Sequence, residues 1–281
     1  MSVTTPRPGD ETPSQRDGTE ERFPLDTLLS LSWDDRRTLI LAEETLVAEC
    51  MRSQGWPYEI PPVPVSGPGE VPDRRYGATS RDLEQPVTPG GRGDGGAVTT
   101  EPASTPGGGL PEGLDPEQAD AWQRALTGDG FIWVADGAAG IPAGGCVAQA
   151  QERLYGERVA RSETFYRIQG WIREAFRSSR SDPEVVAALR RWQACMEEAG
   201  WVGYEDPLEL ATAFTANGIY DPRIRADIEC KEETGLVEVW SRVESRYQEQ
   251  VLAAHEAEIL AWVEQREQAL ERARGVVDGG G

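Results

Sequence analysis

The chain has 281 residues, 38% of them hydrophobic, a length that admits one large or two modest domains with at least one sizeable core. Its formal charge of −21, from 49 acidic against 28 basic residues, repels nucleic acid and anionic membrane and attracts a cationic ligand such as a basic peptide; plain solubility is the bland use of the same charge. No stretch reaches the roughly 18 to 20 uninterrupted apolar residues of a membrane span.

Residues 1–22 are Pro, Gly, Ser, Thr and charges with hardly an apolar side chain, which reads as a disordered tail. They contain no hydrophobic signal core, and "FPLDTLLSLSWDD" after them is too short and too acidic to be one. As written, the chain is expected to start in the cytoplasm, and to be extracytoplasmic if the true start lies upstream. A first helical segment follows over 23–56. Leu39, Ala42, Leu46 and Cys50 recur at helical spacing between Trp33 and Ser53, with Ser32 as N-cap, Asp34 and Asp35 on the positive end, and Gly55 as a stop.

Residues 57–110 form a linker too rich in Pro and Gly for regular structure, with "DRRYGATSRDLEQ" at 73–85 as an island able to dock. The "RGD" at Arg92 to Asp94 arises easily by chance in such a tract and carries little weight. A helical domain is expected over 111–277. Asp115 caps a helix with Pro116 at its first position. A β-hairpin over 130–145 comes next: Phe131 to Ala135 is one strand, Asp136-Gly137 the turn, and a weaker strand leads to Cys146.

Helices then run from Cys146 to Tyr155, from an N-cap at Ser162, and from Asp182-Pro183 with Val185, Leu189, Trp192 and Met196 on one stripe until Gly200. Another starts at Asp221-Pro222 and continues or restarts near Gly235, with Leu236, Trp240, Val243, Tyr247 and Ala254 as its apolar face. It ends near Val277 before a Gly tail at 278–281. So long a helix should pack over a bundle or pair with another chain. The charges of 241–274 read as a solvated face. The fold class is thus mainly α: a helical bundle with one small β-hairpin, a long C-terminal helix and a disordered N-terminal tail.

Cys50, Cys146, Cys195 and Cys230 allow three disulfide connectivities. No C-x-x-C pair exists and His255 is the only imidazole, so neither structural zinc spacing nor a thioredoxin-type motif is present. Buried thiols and two disulfides remain as readings. A repeat favours the second: "VAECMRSQGWPYE" at 47–59 and "WQACMEEAGWVGYE" at 192–205 both carry Cys-Met-x-x-x-Gly-Trp, then Tyr and Glu. Each Cys sits in the last turns of a helix and has one Cys downstream, so the expected bridges are Cys50–Cys146 and Cys195–Cys230. Disulfides point to an oxidising compartment. Trp56, Trp201 and Tyr204 lie just past the helix ends, where they cover the core beside a staple or, as candidate ligand-facing aromatics, line a cleft; the core role is the stronger reading.

On "ECMRSQGWPYE" at 49–59, "RRYGAT" at 74–79, "GDGFIWVADGAAGIPAGGCVAQAQERLYGE" at 128–157, "WQACMEEAGWVGYEDP" at 192–207 and "ADIECKEETGLVEVWSRVESRYQEQVL" at 226–252, the chain resembles a family of uncharacterised actinobacterial lipoprotein-like and exported proteins. The resemblance implies no agreed activity. Similar small lipoproteins act in lantibiotic self-protection, which implies at most the binding of a peptide at the envelope. The chain departs from that type in lacking a signal and a lipobox cysteine near its start.

No catalytic set stands out. His255 lacks the second histidine of H-E-x-x-H and is expected to face solvent or to make an ordinary hydrogen bond. The acid pairs Asp34-Asp35, Glu43-Glu44 and Glu232-Glu233 point apart on their helices. The Gly runs have no β-α-β frame for a phosphate loop. No catalytic residue, cofactor or metal is assigned. The leading reading is a non-enzymatic binding protein for a peptide or other cationic ligand. An intracellular scaffold or regulatory protein dimerising through the C-terminal helix comes second, and an unrecognised carboxylate-based enzyme third.

Overall fold

The computed structural model describes residues 23–65, 74–84, 109–135, 137, 139–211, 213–214 and 220–279. The expected tail at 1–22, most of the linker with its RGD, Asp136 of the hairpin turn and Gly280–Gly281 lie outside the described residues.

Short polar caps decide where four of the helices begin. After α1 (Pro24–Leu29), which lies within the 23–56 segment read as helical, Ser32 accepts the Asp35 N–H at 3.1 Å and opens α2 (Trp33–Ser53). Within the linker, Ser80–Glu84 forms the short helix α3, a departure from the irregular structure expected there. Asp115 and Gln118 build a reciprocal capping box at the head of α4 (Pro116–Thr127). Strands β1 (Phe131–Val134) and β2 (Ala139–Pro142) pair antiparallel, with Ile132 opposite Ile141 and Trp133 opposite Gly140.

Helix α5 (Gly145–Tyr155) ends at Gly156, and α6 (Arg158–Arg180) starts two residues on, so Ser162 lies inside a helix instead of capping one. The cause is local: the left-handed Gly156, at φ 75°, turns the chain back at once. Asp182 then caps α7 (Pro183–Glu198), a 3₁₀ turn covers Pro207–Leu210, and Asp221 caps α8 (Pro222–Thr234). Gly235 in the left-handed region separates α8 from α9 (Leu236–Gly279), so the restart falls where the sequence places it. Asp278 and Gly279, read as part of a Gly tail, continue α9.

Helix α9 spans 44 residues and serves three apolar cores. Its start, with Leu236, Trp240 and Val243, packs with α7 and α8; its middle, with Ile259 and Trp262, packs with α1 and α6; its end, with Ala269, Leu270 and Ala273, packs with α2, α4 and α5. Of the two fates expected for so long a helix, packing over a bundle is the one seen. His255 breaks the helical angles at φ −128° and ψ 19°. Just before it Ala254, expected on the apolar face, is exposed, where α9 passes from the second core at Tyr247 to the third at Val251 and Leu252. The solvated-face reading of 241–274 also fails at Glu244 and Arg266, which are buried.

Candidate functional site

The repeated Cys-Met-x-x-x-Gly-Trp stretch is a helix terminus with a staple. Cys50 bridges α2 to Cys146 on α5, with Cα atoms 5.5 Å apart, and Cys195 bridges α7 to Cys230 on α8 at 5.7 Å. Both pairings are those expected from the repeat. Gly55 and Gly200 hold φ of 81° and 89°, and their N–H groups donate to Arg52 and Glu197, each at 3.0 Å. The Trp56 and Trp201 N–H groups reach back to the carbonyls of Met51 and Met196, at 2.9 and 2.8 Å. This is a Schellman end, in which an apolar residue past the glycine packs near one inside the last turn. Met51 and Met196 are accordingly buried. Trp56 packs partly buried against the first core, and Trp201 and Tyr204 against the second, so the three aromatics do not share one surface.

Two buried ionic clusters, with no signal in the apolar periodicity, hold the "RRYGAT" segment on the second core. Glu244 of α9 accepts from Arg75 Nη1 at 2.7 Å, Tyr76 Oη at 2.7 Å and Gln248 Nε2 at 3.2 Å. Arg75 also pairs with Asp26 of α1, and its guanidinium lies 4.2 Å above the Phe23 ring. Burial pushes the Glu244 carboxyl above its ordinary range, against the pull of Arg75. In the second cluster the Lys231 ammonium sits 2.7 Å from Asp227 and donates to the carbonyls of Tyr76 (3.2 Å) and Ala78.

Burial raises Asp227 to about 6 and lowers Lys231. Asp227 also accepts the Trp192 indole N–H at 3.1 Å. Gly77, at φ 89°, lets the segment close around the lysine, because a Cβ there would stand 3.2 Å from Lys231 Nζ. Arg74 completes the segment by donating to buried Asp82 at 2.5 and 3.0 Å. The island of the linker therefore docks through charge as well as through Tyr76 and Ala78. The doubled "RR" before an aromatic was the only sequence sign of this.

In the first unit the adjacent acids do point apart. Glu43 accepts from Gln151 of α5 at 3.0 Å, and Glu44 from the Tyr58 hydroxyl at 2.7 Å. His255 stacks flat on Trp171, centroids 3.8 Å apart, where solvent or an ordinary hydrogen bond had been expected. Among the described residues no group of three or more His, Cys, Asp or Glu could hold a metal ion, and no helix is long and apolar enough to cross a membrane. A surface pocket of about 340 Å³ opens between Leu46, Leu154 and Val276, where Arg153 is drawn to Glu49 and Arg272 donates to the Leu154 carbonyl.

The hairpin is different, because it turns aromatic rings outward. Phe131 is 57% exposed and Trp133 65%, while Val134 on the opposite face is fully buried. Both rings converge over Gly140 of β2: a Cβ there would meet Phe131 at 3.4 Å and Trp133 at 3.5 Å. The platform is braced by α6. Arg158 donates to the carbonyls of Pro142 (2.7 Å) and Ala143 (3.2 Å), and Glu163 accepts the Ala135 N–H at 3.0 Å. Sequence reading found this hairpin but not its outward rings, since a four-residue strand alternates without saying which face is covered.

Comparison of the chain with protein-family models, with curated proteins and with solved structures returns no match.

Proposed function

We propose that the protein is a non-enzymatic binding protein that holds a peptide or other cationic ligand on the outer face of its hairpin. The observation that carries this is the pair of exposed rings, Phe131 and Trp133, set on a braced platform in a chain of charge −21. A Lys or Arg side chain over an exposed aromatic face contributes about 0.5–1 kcal/mol, and a field of this sign raises the encounter rate of basic partners. Extracytoplasmic residence belongs to the same proposal, since two disulfides persist in an oxidising compartment and the resemblance is to exported proteins.

The dimeric-scaffold and enzyme readings have less support. Trp240, Val243, Ile259 and Trp262 of α9 lie inside the fold, and its exposed apolar side chains, Val237, Leu260 and Val277, are spread far apart along the helix. The displaced carboxyls Asp227 and Glu244 lie in closed clusters.

The test is fluorescence anisotropy of a labelled Lys/Arg-rich peptide titrated with the protein at low and moderate salt. Binding should weaken with salt, and the F131A/W133A variant should bind at least about tenfold more weakly, a loss of about 1.4 kcal/mol. Equal binding by the variant, or no binding of basic peptides at any salt, would sink the proposal.

A further inference from the structure

We propose that the ligand is a basic segment bound in extended form, added as a third strand along the outer edge of β1; this rests on the binding reading above. The hydrogen-bond phase of the hairpin sets which groups are free. Ala143 donates its N–H to the Gly130 carbonyl at 2.8 Å, and the register places Ile132 opposite Ile141 and Val134 opposite Ala139. In an antiparallel ladder bonded and non-bonded pairs alternate, so Ile132 and Val134 bond across to β2. Phe131 and Trp133 occupy the non-bonded positions, with N–H and C=O directed away from it. No described residue bonds these four groups.

The opposite edge is less open. Pro142 has no N–H to offer a new strand, and its outward carbonyl is taken by Arg158 at 2.7 Å. The two edges therefore differ: on β2 only Gly140 keeps both an outward N–H and an outward carbonyl, whereas β1 presents two such residues, Phe131 and Trp133, up to Ala135, whose outward N–H goes to Glu163. An added strand would register on those groups and set alternate side chains against Phe131 and Trp133, which is how strand addition combines affinity with selectivity.

A bare edge could also pair with a second copy of the chain. Charge decides against that, because each copy carries −21 and Asp129, immediately ahead of β1, is exposed. A Lys- or Arg-bearing strand meets attraction at the same place.

The experiment uses the intact, oxidised chain and a fluorescein-labelled decapeptide alternating Lys with Val. Two analogues are N-methylated at alternate residues, one on each set, and an alternating Glu/Val peptide is the charge control. We expect one methylated set to bind at least about tenfold more weakly and the other to bind as the parent does. Hydrogen exchange should slow at the Phe131 and Trp133 amides when the parent peptide binds.

If both methylated peptides bind like the parent while F131A/W133A loses affinity, strand addition falls and the aromatic platform stands. Absence of any basic-peptide binding removes both. Equal binding of the Glu/Val peptide overturns the choice of a basic partner. A peptide-free dimer by light scattering that W133A dissolves assigns the edge to a second copy instead.

Discussion

The two stapled units end their helices in the same way and hold their surroundings in opposite ways. In the first, the chain beyond Trp56 is fastened by neutral donors: Tyr58 donates to Glu44 and stacks near Trp122, whose indole N–H donates to the Pro57 carbonyl at 2.9 Å. In the second, the segment beside the staple is fastened by full charges, Lys231 with Asp227 and Arg75 with Glu244. One local device can thus sit in two electrostatic settings, because a helix end is satisfied by its own backbone while a docked segment needs partners from elsewhere. The contrast is open to measurement.

The largest effects should come from the staples. Cys50–Cys146 spans 96 residues of sequence and Cys195–Cys230 spans 35, so in the chain-entropy picture their removal costs about 5 and about 4 kcal/mol. Urea denaturation of C50S/C146S and C195S/C230S checks this, and a larger loss for the second pair would show that loop length does not govern the ranking. Next is Lys231→Met, which leaves Asp227 buried without its cation and should cost about 3 kcal/mol. The double change K231M/D227L should recover most of that. A single-variant loss below about 1 kcal/mol would mean that the charges in the second unit are incidental.

The pH dependence sharpens the same difference. Asp227 rises in the fold from 3.8 to about 6, and Glu244 is also raised. A carboxyl whose folded value exceeds its unfolded one lends stability that is complete below the unfolded value and lost as pH rises through the folded one. Asp227 should therefore contribute on the order of 2 kcal/mol of added stability between pH 7.5 and pH 4.5, opposed in direction by the lowered Lys231, and D227N should remove that contribution. A slope unchanged in D227N would assign the effect to surface charge instead.

The smallest effects test the shared part of the two units. At Gly55 and Gly200 a Cβ would meet nothing within 4 Å, so Gly→Ala costs only the left-handed backbone, about 1 kcal/mol, and the two losses should match. Gly77→Ala adds a close approach to Lys231 and Pro207 and should cost roughly twice as much by thermal melting.

Local signals were read well and distant ones poorly, for a physical reason. Ser32, Asp115, Asp182 and Asp221 cap helices through bonds to residues two or three positions ahead. Their positions therefore show in sequence. Ser162 has the right chemistry but lies inside α6, because Gly156 had already reversed the chain. Of the candidate aromatics, Trp56, Trp201 and Tyr204 were placed correctly at helix ends yet belong to two separate cores. The outward pair, Phe131 and Trp133, was visible as strand residues only.

The sequence by itself determined the capped helix starts at Ser32, Asp115, Asp182 and Asp221, the place of the hairpin and the pairing of the four cysteines. These follow from caps, glycine angles, alternation and a repeat, all legible within short windows of chain. Only the tertiary structure decided that Glu244 lies inside rather than on a solvated face, since its partner Arg75 is 169 residues away. It likewise decided that Ala254 is exposed where α9 passes between two cores, and that α6 covers Val134 and leaves Trp133 to solvent. Which side of an amphipathic element is buried depends on what packs against it, and that is a property of the whole chain.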